Sequence, residues 1–159
     1  MAWWKRLRRG GRHTLTLLQV LPSAAKRRLL RRMIYFSRAL AHEFDKPLPE
    51  MMAHLTPDPQ AQPAIAWETT RQLADAVAAW HIHSSLGICL RRSLLRYYFL
   101  REANLPVQIT FGARFKADSE GGGIGGHAWL LLNDEPYYEN PGDYKGFARI
   151  YTYPELEKP

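Results

Sequence analysis

Cysteine is almost missing from this chain of 159 residues, and its only thiol is at Cys89. One thiol forms no intramolecular disulfide and builds no cysteine cluster, which argues against a small secreted disulfide scaffold and against a structural zinc module. A reducing, cytoplasmic setting is the natural expectation. Long apolar runs are missing too. The stretch from Thr14 to Leu21 contains Thr and Gln and falls far short of the ~18 apolar residues of a membrane span. The Arg-rich start before it and Ser23-Ala24-Ala25 after it imitate a signal peptide, but the apolar run is at the lower limit of length and leads into more basic residues. Membrane contact is not expected.

Other chemistry is excluded by what its motifs lack. His81 and His83 stand two apart with no second cluster, so no metal site is expected. Gly121 to Gly126, "GGGIGG", lacks the Lys-Ser/Thr that completes a phosphate loop. It reads as a hinge or lid, and no cofactor is implied. Acidic residues are scarce in one region only. Residues 1–56 hold 12 Lys/Arg against 3 Asp/Glu, net +9, and residues 57–159 hold 10 against 12, net −2. A basic stretch of this kind can meet nucleic acid, anionic lipid or an acidic peptide, or is simply a solvated face, and no nucleic-acid partner is expected. The composition, 46% hydrophobic and 23% charged, is that of a globular chain long enough to bury about two-thirds of its unfolded surface.

What is present divides into a helical first half and a strand-rich second. Ser23 is a helix N-cap, and Leu29, Met33, Phe36 and Leu40 follow at steps of four, three and four, which predicts an amphipathic helix. Three prolines between Thr56 and Pro63 mark a linker or surface loop, dividing a basic helical region, 1–56, from a core, 57–159. Helical spacing resumes through Leu73, Val77 and Trp80. Residues 84–88 carry capping residues and a glycine ahead of a helix from Cys89 to Arg101. Val107, Ile109, Phe111, Ala113 and Phe115 then alternate as a strand with one buried face. "HAWLLL", Asn133-Asp134 and "EPYYEN" predict a second strand, a turn and a third. Helices followed by an antiparallel sheet define the α+β class.

Cys89 stands where a nucleophile gains most. In the first turn of a helix, unpaired backbone N–H groups and the positive end of the dipole favour a thiolate, and the same groups stabilise a developing oxyanion. A thiolate nucleophile needs a histidine to exchange its proton and a third group to hold that ring. His127, opening a strand after the glycine loop, is the candidate base. A two-residue turn at Asn133-Asp134 pairs it with Asn140, while a three-residue loop or a bulge pairs it with Glu139. The bland alternatives are a buried structural thiol, an ordinary strand histidine and a surface carboxylate. Arg92 and Arg96, one turn apart, are placed to pair acids or steady a peptide. Arg92, Trp129, Gly125, Gly126 and Asn140 are the candidate substrate-binding residues, with Trp129 alternatively a core residue.

"CLRRSLLRYYFLREANLPVQITFGARF … GGHAWLLLNDEPYYEN" resembles the transglutaminase-like cysteine peptidases of lasso-peptide maturation, which remove the leader from a ribosomally made precursor. Cys89, Leu90, Arg92, Ser93 and Leu94 match that family's nucleophile helix. Asn104 and Pro106 match its step into a strand, and His127, Ala128 and Trp129 its histidine strand. The family's acid position falls on Glu139, where Asp is more usual. The resemblance implies a papain/transglutaminase-like fold and a triad of Cys89, His127 and Glu139. It also implies three partners: the precursor peptide, a separate leader-binding winged-helix protein and an ATP-dependent lasso cyclase. Acyl transfer to an amine by the same triad, and a non-catalytic basic binding module, are the competing readings.

Overall fold

The computed structural model describes residues 22–60, 63–80 and 86–155. The apolar run before Leu21, His81, His83 and the capping residues Ser84 and Ser85 lie outside them. None of the described helices is long and apolar enough to cross a membrane. Two compact units emerge, one ending at Leu105 and one beginning at Pro106.

The first unit is helical. Helix α1 (Ala24–Glu43) starts where Ser23 Oγ accepts the backbone N–H of Lys26 at 3.3 Å. Met33 and Leu40 of its predicted apolar face are buried. A short helix α2 (Leu48–His54) follows, then α3 (Trp67–Trp80) and α4 (Ile88–Glu102). Met33 of α1, Leu73 and Val77 of α3, and Leu95 and Phe99 of α4 form one core cluster. Phe36 packs on Tyr98 at 4.5 Å between ring centroids.

These contacts join elements on both sides of residue 56, so the packing boundary falls after Leu105 and not at the proline-rich segment. That segment is a strap. Gln60 donates its backbone N–H to the carbonyl of Glu102 (2.8 Å), and the Thr56 hydroxyl meets Tyr97 Oη at 2.8 Å. Trp80, placed by spacing on the apolar face of α3, is 60% exposed because it occupies the last residue of the helix, past the cluster.

Helix α4 has no polar face. Leu94, Leu95, Tyr97, Phe99 and Leu100 are buried together with Arg91, Ser93 and Arg96, so it is the central element of its unit. Burying Arg96 requires a partner, because an uncompensated guanidinium is costly in an apolar interior. Asp75 of α3 supplies it, accepting from Arg96 Nε at 2.6 Å and Nη2 at 2.9 Å, and Arg71 also donates to Asp75 at 2.8 Å.

The second unit is a four-stranded sheet in the order β3-β2-β1-β4, in which each neighbouring pair is antiparallel. Strand β1 (Gln108–Phe115) is inside the sheet and pairs with β2 (Ile124–Leu132) on one side and β4 (Ala148–Tyr153) on the other. The predicted one-sided alternation of β1 does not hold: Gln108, Ile109 and Thr110 are all buried, while Phe115 is 86% exposed. The two polar side chains are satisfied in place. Gln108 donates to the carbonyl of Pro154 at 2.8 Å, and the Thr110 and Thr152 hydroxyls are 3.0 Å apart.

Asn133 and Asp134 form the expected two-residue hairpin, both with positive φ (52° and 64°) as a type I′ turn demands. The third strand is much shorter than predicted. β3 is Glu135–Pro136 alone. One more ladder bond, from the Tyr137 N–H to the carbonyl of Leu130 (2.9 Å), precedes Tyr138, whose φ of +51° turns the chain away. A single helical turn, α5 (Pro141–Tyr144), leads to β4, an element the sequence reading did not include.

Candidate active site

Cys89, the candidate nucleophile, belongs to the helical unit. Gly87 is the N-cap of α4, and its carbonyl accepts the N–H of Arg91 at 3.1 Å. The N–H groups of Ile88, Cys89 and Leu90 therefore have no acceptor within the helix. Cys89 is the second residue of the helix and is half-buried, neither sealed in the core nor fully solvated. A Cβ built at Gly87 would stand 3.8 Å from its Sγ, in ordinary van der Waals contact. Arg91 and Arg96 are buried and Arg92 is half-buried. Desolvation pushes the Arg91 guanidinium below its ordinary pKa.

His127, the candidate base, belongs to the sheet unit. His127 lies inside β2 and not at its start, because pairing of Phe115 with Ile124, Arg114 with Gly125 and Ala113 with Gly126 extends the strand three residues earlier than the glycines suggest. Of the glycine run, only Gly121, Gly122 and Gly123 are loop-like, all with positive φ.

The imidazole is held by aromatic rings. Trp129 stacks on it with centroids 5.8 Å apart and planes 21° apart, and Phe147 packs at 5.2 Å. Tyr144 stacks on Trp129 in turn, at 6.0 Å. Opposite His127 in the register is Gly112. A Cβ there would stand 2.7 Å from two atoms of the Trp129 ring and 2.9 Å from the carbonyl oxygen of Ala148, so only glycine admits the indole at this depth.

Several expectations change on this geometry. Trp129 is 1% exposed, which removes it from the substrate-contacting set and makes it the support of the imidazole. Gly125 is buried, with Lys116 Cε 3.3 Å from its Cβ position, whereas Gly126 is exposed with nothing within 4 Å of its own. Register does not decide between Glu139 and Asn140, because the ladder ends before either. Asn140 caps α5, its Oδ1 accepting the Gly142 N–H at 3.3 Å. Glu139 is half-buried just after the Tyr138 kink. Gly112, Tyr144 and Phe147 are absent from the sequence reading. The alternation of β-branched and aromatic residues in "ARIYTY" was the signal that could have brought β4 and its flanking Phe147 into view.

Helices together with a four-stranded antiparallel sheet make an α+β chain of the papain-like class. The profile of the transglutaminase-like superfamily matches residues 17–152, and the chain belongs to that superfamily. Cysteine-protease and acyl-transfer chemistry is the activity of this type of domain. No curated protein and no solved structure matches the chain.

Proposed function

We propose that this protein is a cytoplasmic cysteine peptidase that removes the leader from a ribosomally made lasso-type precursor. His127 takes the proton of the Cys89 thiol, Sγ attacks the carbonyl carbon at the leader–core junction, and the C–S bond forms as charge moves to the carbonyl oxygen. His127 gives its proton to the departing amine as the C–N bond breaks, freeing the core peptide. Water then attacks the thioester, its proton returning to His127, and the leader leaves as a carboxylate. Glu139 holds the imidazole in the tautomer this exchange needs. The engagement of Asn140 as a helix cap favours Glu139 for that role.

The observation that carries the reading is the position of Cys89, half-buried in the first turn of α4, in a chain of the transglutaminase-like superfamily. Arg92, Gly126 and Asn140 are the substrate-binding candidates with exposed or half-buried positions. The partners are the precursor peptide, a separate leader-binding winged-helix protein and the ATP-dependent cyclase that consumes the freed core. Family membership also supports acyl transfer, in which an amine replaces water at the thioester.

Mass spectrometry of a leader-bearing precursor incubated with the protein and the leader-binding partner tests both. Cleavage by wild type is expected, with a loss of at least about 10³-fold for Cys89→Ala or His127→Ala. Addition of a primary amine leaves the product a free carboxylate under hydrolysis and converts it to an amide under acyl transfer. Cleavage that survives Cys89→Ala refutes both readings.

A further inference from the structure

Three large apolar side chains of the sheet unit are left in solvent: Phe115 (86% exposed), Ile124 (70%) and Ile150 (70%). They are not scattered. Phe115 and Ile124 are direct cross-strand partners at the end of the β1–β2 ladder, and all three line one groove of about 810 Å³. Clustered exposed apolar surface of this kind marks a binding surface more often than a solvated one.

The groove has four properties that together select an occupant. Four of the residues that line it, Ala113, Ala148, Gly142 and Gly146, are small, which leaves room for a side chain. It is electrically neutral in effect: the one cation on its wall, Arg114, is forked onto Glu120 at 2.8 and 2.7 Å and lies over the Phe147 ring at 5.2 Å. It adjoins the base, because Phe147 both lines it and packs on the His127 imidazole at 5.2 Å. By register, Phe115 and Ile124 stand on the sheet face opposite His127, so the groove wraps the end of the sheet to reach Phe147. Lastly, it runs along β4, an edge strand of the sheet, and an edge strand accepts an extended peptide by backbone pairing.

We infer that this groove is a subsite for an apolar side chain of the peptide substrate, a few residues from the amide that is cleaved. The inference rests on the peptidase reading above and adds to it the substrate's character: an extended segment with a large apolar residue, and no charged one, near the junction. Burial of such a side chain changes affinity by a factor of about ten to two hundred.

The test separates binding from chemistry. The probes are two fluorescein-labelled octapeptides, identical except for Leu or Asp at one central position, titrated by fluorescence anisotropy against the full chain carrying Cys89→Ala. The Leu peptide is expected to bind at least about tenfold more tightly than the Asp peptide, and Ile124→Asp to abolish the difference. Ile150→Ser repeats the measurement at a second exposed position, and unchanged thermal melting of either variant shows that it is folded. Equal binding of the two peptides, or a preference that survives both substitutions, overturns the subsite. So does a dimer in analytical ultracentrifugation that Ile124→Asp dissolves, since a second copy would then fill the groove. Selective binding to the Cys89→Ala chain alongside a wild type that cleaves no precursor would keep the groove as a site for an apolar peptide side chain while refuting the peptidase reading and, with it, the groove's role as a substrate subsite.

Discussion

Gly112 has no side chain and yet governs one. Trp129 occupies the space a Cβ would take, and the imidazole of His127 lies flat against that indole. Gly112→Ala is expected to push the indole aside, at a cost in stability of about 1–3 kcal/mol. It should lower kcat more than it raises KM, a split that precursor-cleavage kinetics reads directly. A different residue-scale effect belongs to Glu120, where the Arg114 fork and the Ala117 N–H hold the carboxyl down to about 2. A depressed folded pKa contributes stability above the unfolded value of 4.5 and loses it as pH falls from there toward about 2. Carbon NMR of the Glu120 carboxyl should therefore titrate near the bottom of that window in the wild type. In Arg114→Ala it should return toward the ordinary range.

At the scale of elements, α4, the helix that carries Cys89, is fixed by a buried ion pair as well as by its apolar residues. Asp75→Ala would leave the Arg96 guanidinium, 4% exposed, without its carboxylate, and breaking such a pair costs about 3–5 kcal/mol. Urea denaturation should show that loss, and Arg96→Met together with Asp75→Leu should recover much of it, because the buried guanidinium is gone and Arg71, the other cation on Asp75, keeps Glu68. This pair also shows where sequence reading stops. The spacing of Arg92 and Arg96 was visible, but their different fates follow from Asp75, 21 positions before Arg96. The hairpin turn was legible in Asn133-Asp134 because a two-residue I′ turn is specified locally. The length of β3 was not, because it ends at a positive φ on Tyr138, a conformation that tyrosine does not announce.

For the molecule as a whole, the charge is asymmetric and the proposed partners are several. If the leader is held by a separate protein, the isolated chain cleaves slowly, and adding that protein raises the rate through effective concentration. Progress curves with and without the partner should differ by about 10²-fold or more, and a covalent tether between the two proteins should remove the concentration dependence. No nucleic-acid partner is expected, and any affinity of the basic N-terminal third for polyanions should be nonspecific and salt-sensitive. Filter binding to nonspecific DNA should collapse as salt rises and be indifferent to Cys89→Ala if that affinity has no part in catalysis.

The sequence by itself determined the α+β order, the Ser23 cap, the amphipathic stripe of α1, the place of Cys89 in the first turn of a helix and the hairpin after β2. Each is written in spacings of a few residues, within which backbone periodicity and capping chemistry act. Tertiary structure alone decided that Gln108 and Thr110 are buried while Phe115 is exposed, that Trp129 supports the imidazole, and that β4 closes one edge of the sheet. Periodicity reports which side chains share a face; whether that face is covered depends on residues distant in the chain, such as Pro154 for Gln108 and Thr152 for Thr110.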